Sequence, residues 1–292
     1  MIRPRRSLLF MPGSNPRALA KAPHLPADGI ILDLEDSVAP DAKGAARRQI
    51  AETIAAGGFG RREIIIRVNA LDSPWWRDDL AMAAKARPDG VLVPKIYSAV
   101  DLAAIEDTLR DLAADSAMRV WAMIETSRAV LHAEELAATS RESGSRLAGF
   151  VFGPNDIARE TRIRMMPGRA AMLPMMTHCI LATRLHGLEI LDGPYSDFSN
   201  SEGFAQECAQ ARDLGFDGKT LIHPGQIDAC NAIFTPPSDE VARARKIIAA
   251  FDLPENASRG AIQLDGGMVE RLHAEMAKRT IAIADAIAAM GH

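Results

Sequence analysis

The sequence predicts an α/β fold, a closed (β/α)8 TIM barrel with a C-terminal helical extension, on three observations. Short β-branched or apolar runs alternate with amphipathic helical stretches, a pattern that argues for β/α units around a parallel sheet. These runs number eight, and 292 residues is an ordinary length for eight such units in one domain. No Gly-x-Gly-x-x-Gly follows the first run, which weighs against the alternative, an open doubly wound sheet that binds a dinucleotide.

The first strand is expected over 7–11, where Ser-Leu-Leu-Phe-Met is stopped by Pro12-Gly13. The others follow over 29–34, 63–68, 90–94, 119–124, 147–152, 188–191 and 219–222. Between them, apolar residues at three- and four-residue intervals predict helices over 42–56, 75–86, 101–114, 129–139, 168–186 and 203–214. The barrel is assigned to 1–234 and the extension to 235–292, with helices over 238–251 and 269–289. Gly260, Gly266 and Gly267 make the loop 259–267 read as a hinge that carries the last helix onto a neighbouring subunit.

Hydrophobic residues make up 48% and charged residues 25% of the chain, the mix of a soluble globular protein. A net charge of −4 offers no basic footprint for nucleic acid, so small-molecule partners are expected. Cys179, Cys208 and Cys230 show no Cys-x-x-Cys pairing and read as buried thiols of a reducing cytosol. The apolar run near the N-terminus is too short for a signal segment, and no stretch of roughly 18 apolar residues is present to span a membrane. A cytoplasmic location is the expectation.

In a (β/α)8 barrel the active site forms at the C-terminal ends of the strands, so polar residues that end apolar runs carry the chemistry. Here the runs end in Asp33, Glu35 and Asp36, in Arg67 and Asn69, in Lys95, in Glu125-Thr126, in Asn155-Asp156, in Asp192, and in His223-Pro224. One acid alone reads as a helix-start residue, a placement worth roughly 0.3–1 kcal/mol. Several acids converging on one rim repel each other unless a cation neutralises them, and all-oxygen ligation suits Mg²⁺, with Mn²⁺ as the alternative. Glu125 and Asp156 are the candidate ligands.

Arg67 can pair bidentately with a substrate carboxylate, or form an internal salt bridge to Asp33 or Glu35. Lys95 reads as a charged, paired ammonium rather than a Schiff-base lysine. His223 before Pro reads as a turn residue, and no spacing among His24, His132, His178, His186, His273 and His292 suggests a site. Trp75-Trp76 reads as helix anchoring, and Met165-Met166 and Met175-Met176 as fillers of packing gaps. No nucleophile elbow, Walker loop or His-Glu-x-x-His supports serine or zinc hydrolysis.

The ordered motifs Arg6-Ser-Leu-Leu-Phe-Met-Pro-Gly-Ser14, Leu32-Asp-Leu-Glu-Asp-Ser-Val38, Ile66-Arg-Val-Asn69, Val93-Pro-Lys95, Met123-Ile-Glu125, Gly153-Pro-Asn-Asp156, Leu191-Asp-Gly193 and Gly218-Lys-Thr-Leu-Ile-His-Pro224 run through nearly the whole chain. Together they resemble the citrate lyase β-subunit-like group of the HpcH/HpaI aldolase superfamily, which includes malyl-CoA and citramalyl-CoA lyases. The resemblance implies that Glu125 and Asp156 ligate Mg²⁺ and that Arg67 holds a keto-acid carboxylate. It further implies that Asp33, Glu35 and Asp36 organise metal-bound water and basic partners, with Asp36 beside the substrate, and that Arg6 and Lys21 lie near the CoA phosphates. It also implies a homotrimer or hexamer. Relatives carry a Met-Ile-Asp-like motif whose Asp is an acid/base group at a neighbouring subunit's site. Here the chain reads Met268-Val-Glu270, one methylene longer, and catalysis is sensitive to shifts of roughly 1 Å.

The expected reaction is Mg²⁺-dependent carbon–carbon cleavage of a 3-hydroxyacyl-CoA, of malyl-CoA, citramalyl-CoA or citryl thioester type, to a 2-keto acid and an acyl-CoA, with Glu270 moving the proton. The alternatives are malyl-CoA-type thioester hydrolysis, a CoA-independent 2-keto-acid aldolase, and a non-catalytic or assembly-dependent subunit that works with an acyl carrier.

Overall fold

A computed structural model describes residues 2–290; His292 lies outside them. Eight strands, β1 (Ser7–Pro12), β2 (Gly29–Asp33), β3 (Glu63–Arg67), β4 (Gly90–Val93), β5 (Arg119–Ile124), β6 (Leu147–Phe152), β7 (Glu189–Asp192) and β8 (Gly218–Leu221), form a closed parallel barrel in chain order. The edge that an open sheet would expose is removed by pairing of β1 with β8. Each strand lies within a residue or two of its expected position, because an apolar run between turn residues has one low-energy use here.

Alternation along the strands builds the interior. Ile31, Ile65, Leu92, Trp121, Met123, Val151 and Leu191 pack with Leu8 in one buried cluster, and each large apolar side chain so buried contributes about 1.5–3 kcal/mol. The residue two positions on points to the same side of its strand. The layer above Ile31, Ile65 and Met123 is therefore Asp33, Arg67 and Glu125, so the polar mouth continues the apolar core. At the opposite end Arg5 plugs the barrel, paired with Glu63 and Glu189 at 2.5 Å each and stacked 4.9 Å over the Trp121 ring. Gly149 lets β6 approach β7 there: a Cβ would lie 2.2 Å from the Glu189 carbonyl oxygen.

Around the barrel run α1 (Pro16–Lys21), α2 (Lys43–Ala56), α3 (Trp76–Ala86), α4 (Ala99–Asp111), α5 (Ser127–Leu131), α6 (Ala133–Ala138), α7 (Pro154–Thr161), α8 (Leu173–Leu185), α9 (Ser201–Leu214) and α10 (Ile227–Phe234). Two helices differ from expectation. The single helix over 129–139 is divided at His132, whose backbone leaves helical geometry. Helix α8 starts at Leu173 rather than 168, because Gly168 (φ 76°) and Arg169 (φ 46°) hold the chain left-handed before it.

The chain divides into two compact units at Asn231, where the sequence reading places the boundary after 234. In the C-terminal unit α11 (Ser238–Phe251) and α12 (Arg271–Met290) pack around Ala244, Ile247, Phe251 and Ala274. The expected hinge over 259–267 is instead an antiparallel hairpin of β9 (Ala261–Leu264) and β10 (Gly267–Glu270). Its turn residues Asp265 (φ 49°) and Gly266 (φ 81°) are both left-handed, the geometry that an Asp-Gly pair favours between strands. Among the described residues no helix is long and apolar enough to cross a membrane.

Candidate metal and carboxylate site

Register partners Asp33 and Arg67 stand side by side at the mouth. Arg67 donates Nε to Asp33 Oδ1 (2.6 Å) and Nη2 to Asp33 Oδ2 (2.8 Å), while its guanidinium lies 4.7 Å over the Phe10 ring. The internal salt bridge is thus formed, and it commits two N–H donors of the fork. Burial acts to raise the Asp33 pKa, but Arg67, the Ser37 hydroxyl and the Glu35 amide outweigh it and hold the carboxyl below its ordinary value. Asp33 is an ionised anchor for the arginine.

Glu35 is less well satisfied. Lys95 Nζ bonds its Oε1, but its buried Oε2 lacks a hydrogen-bond partner although Arg67 Nη1 lies 2.9 Å away, outside bonding geometry. Burial pushes the Glu35 pKa up, with Asp36 adding to the rise and Arg67 and Lys95 opposing it. Asp36 is exposed, 3.6 Å from Arg67 Nη1 and 3.9 Å from Lys95 Nζ.

Glu125 ends β5 and is buried. Its Oε1 accepts from the Lys95 backbone N–H at 2.7 Å, a contact made possible by the left-handed backbone of Lys95 (φ 51°). Burial, and then the charges of Glu35 and Asp156, push its pKa up to about 7. Gly153 backs this carboxylate: a Cβ there would fall 2.4 Å from Glu125 Cβ and 2.9 Å from Oε2. Pro154 at the first position of α7 aims the helix start at the mouth, so Asp156 in the first turn gains from the helix dipole. Arg159 bonds Asp156 at 2.8 Å. A cavity of about 270 Å³ lies between Lys95, Glu125, Thr126, Asp156, Arg159 and Glu160.

The donor set fits a hard divalent cation. One carboxylate is held close to neutral by its surroundings, one buried carboxylate oxygen has no donor, and the ligating atoms available are all oxygen. Among the described residues no three acidic, His or Cys side chains converge to cage a metal. Mg²⁺ needs no such cage, since it is commonly held by one or two carboxylates, with water and substrate oxygens completing six positions.

Other expected site residues lie elsewhere. Arg6 does not face the mouth: it precedes β1 at the opposite end of the barrel, 6% exposed, with Nε and Nη2 bonded to Asp28 at 2.9 and 2.7 Å. A guanidinium buried on a carboxylate there cannot serve a CoA phosphate at the mouth. Lys21 is exposed at the end of α1. Asn69 is tied to Asp79, its Nδ2 donating at 2.6 Å. His223 caps a short 3-10 turn through Nδ1, which accepts from the Gly225 N–H at 3.1 Å, and stacks on Phe198. Met165 and Met166 fill no packing gap; they are 46% and 54% exposed. Glu270 lies on β10 of the C-terminal unit. Arg159 was missed, although its place three residues after Asp156 on a helix is a legible pairing signal.

Fold and mouth together define a (β/α)8 protein whose strand ends gather carboxylates and an anchored arginine around a site for a hard cation. Residues 6–224 match the family described as HpcH/HpaI aldolase/citrate lyase, and the chain belongs to that family. A (3S)-malyl-CoA thioesterase of Cereibacter sphaeroides is 45% identical over 99% of this chain and 97% of its own. An L-malyl-CoA/beta-methylmalyl-CoA lyase of the same species is 34% identical over 98% and 96%. Among solved structures, protein CitE of Mycobacterium tuberculosis in complex with magnesium, acetoacetate and coenzyme A is 29% identical with a TM-score of 0.75, covering 96% of this chain and 97% of that one.

Proposed function

We propose that the barrel mouth holds Mg²⁺ on Glu125 and Asp156 and takes the hydroxy-acid end of a (3S)-malyl-CoA-type thioester. The observation that carries this reading is the Glu125 carboxyl at the strand end, pushed toward neutrality first by burial and then by the charges of Glu35 and Asp156, in a site that offers only oxygen ligands. Bound Mg²⁺ supplies Lewis acidity toward the hydroxyl and carboxylate oxygens of the substrate. Arg67, fixed by Asp33, orients the substrate carboxylate with its uncommitted N–H groups, and Asp36 flanks it. Lys95 stays charged and keeps Glu35 and Glu125 in place. Lys21 meets the CoA phosphates. Glu270 handles the proton, reaching a neighbouring subunit's mouth in a homotrimer or hexamer.

Two net reactions fit this site. Thioester hydrolysis, malyl-CoA and water giving malate and CoA, is favoured by the relative at 45% identity, which carries that activity in its name. Carbon–carbon cleavage to glyoxylate and acetyl-CoA is favoured by the family and by the lyase at 34% identity. Incubation of the purified chain with (3S)-malyl-CoA and Mg²⁺, with free thiol and glyoxylate followed separately, decides between them. Thiol release without glyoxylate supports hydrolysis, and glyoxylate formation supports cleavage. Mg²⁺-independent turnover, or turnover unchanged in Glu125→Gln, overturns the site assignment. A chain inert until an acyl carrier partner is added is an assembly-dependent subunit instead.

A further inference from the structure

Helix α7 carries Asp156 and leads into the loop 162–172, where Arg162, Arg164, Met165 and Met166 are all exposed. A buried charged side chain ties this loop down. Arg169 has a left-handed backbone (φ 46°), which a non-glycine residue adopts only when its surroundings hold it there. Its side chain is 2% exposed, with Nη1 on both oxygens of Asp192 (2.8 and 2.9 Å) and Nε on Gln210 Oε1 (2.9 Å). Gln210 Nε2 returns a bond to the Gly168 carbonyl at 2.6 Å. Asp192, at the end of β7, is wholly buried and also accepts from Lys219 Nζ of β8 at 2.6 Å; Lys219 reaches Glu207 at 2.7 Å. Two cations and two carboxylates balance each other inside the barrel wall, and Arg169 joins the exposed loop to them.

Beneath the loop is a cavity of about 570 Å³ that runs from Asn155, the neighbour of Asp156, to Arg169 and Glu207, with Met165, Met166 and Tyr195 among its walls. With Glu207 balanced by Lys219 and Arg169, the remaining acids of its lining, Asp197 and Glu202, disfavour phosphates and carboxylates. Exposed methionines are adaptable apolar surface for an uncharged ligand segment.

We propose that Arg169 is a positioning residue that latches the loop 162–172 to the barrel wall, and that the latched methionines form the wall against which the uncharged methylene and thioester segment of the substrate packs. The second half rests on the CoA-ester reading; the latch itself does not. Limited trypsin digestion tests the latch without any activity: Arg169→Gln is expected to speed cleavage after Arg162 and Arg164 at least tenfold at a temperature where the protein remains folded, and Arg169→Lys to restore part of the resistance. Steady-state kinetics test the wall: Arg169→Gln is expected to raise KM for malyl-CoA about tenfold with kcat nearly unchanged and Mg²⁺ affinity intact. The exposed double variant Met165→Ser/Met166→Ser, whose folding is not at stake, is expected to raise KM more for a methyl-branched malyl-CoA than for malyl-CoA. Unchanged tryptic cleavage in Arg169→Gln overturns the latch. An unchanged KM ratio in the methionine variant overturns the wall. A wild-type chain that turns over no CoA ester overturns the functional reading and, with it, the wall, while digestion still decides the latch.

Discussion

Replacing Glu125 by Gln is expected to stabilise the metal-free protein at pH 8 while abolishing its response to Mg²⁺. The Glu125 carboxyl rises from the ordinary 4.5 to about 7 on folding, through burial first and the charges of Glu35 and Asp156 second. The side chain is 2% exposed, so solvent screens little of this effect. A displacement of about 2.5 units at 1.36 kcal/mol each corresponds to about 3 kcal/mol. The sign follows from which state keeps the proton. Below about pH 4.5 both folded and unfolded chains are protonated at this group, and its stabilisation is fully present. Between about 4.5 and 7 the unfolded chain has lost the proton and the folded chain retains it, so rising pH removes the stabilisation, all of it by about pH 8. Urea unfolding of the EDTA-treated wild type and Glu125→Gln at pH 5 and pH 8 isolates Glu125 together with the Glu35 and Asp156 charges coupled to it, since more distant titrations cancel between the two proteins. The stability difference is expected to move by about 2–3 kcal/mol in favour of Gln across that range. Mg²⁺ is expected to restore the wild type at pH 8 and to bind about tenfold more weakly for each pH unit below 7, because the proton competes for the same carboxylate. Parallel unfolding curves for the two proteins at both pH values, or Mg²⁺ affinity flat from pH 5.5 to 8, refute the reasoning.

Turnover of malyl-CoA by Glu125→Gln is expected to fall by at least about 100-fold in whichever assay, thiol release or glyoxylate formation, registers the wild type, since even outer-shell groups at metal sites matter 10–100-fold. Gly153→Ala places a Cβ 2.4 Å from Glu125 Cβ and is expected to cost roughly 1–3 kcal/mol in urea unfolding and to weaken Mg²⁺ binding by calorimetry; wild-type values for both would mean that Glu125 moves aside freely. Arg67→Lys keeps a charge beside Asp33 but loses the fork, and kcat/KM is expected to drop roughly 10²-fold. Arg6→Ala removes the buried guanidinium that bonds both Asp28 oxygens and is expected to cost about 3–5 kcal/mol in urea unfolding with KM for the CoA ester unchanged. A selective rise of KM in that variant would return Arg6 to the CoA site.

The barrel and the ring of strand-end polar residues were legible in the sequence because both are local. An apolar run such as Gly-Ile-Ile-Leu-Asp has a strand period and a stop written into consecutive residues, and the position of Glu125 or Asp156 just after such a run is what places it at the mouth. The Asp-Gly turn of the C-terminal hairpin was equally legible but was read as flexibility on its glycines alone. What only the tertiary structure decided is pairing. Whether Arg67 is held by Asp33, whether Arg6 finds Asp28 at the far end of the barrel, and whether Arg169 and Lys219, far apart in sequence, converge on Asp192 depend on strand register and helix docking. A charge carries no record in the sequence of which opposite charge will lie within 3 Å of it once the chain closes, and that distance, with the burial around it, separates an anchored guanidinium from a ligand site.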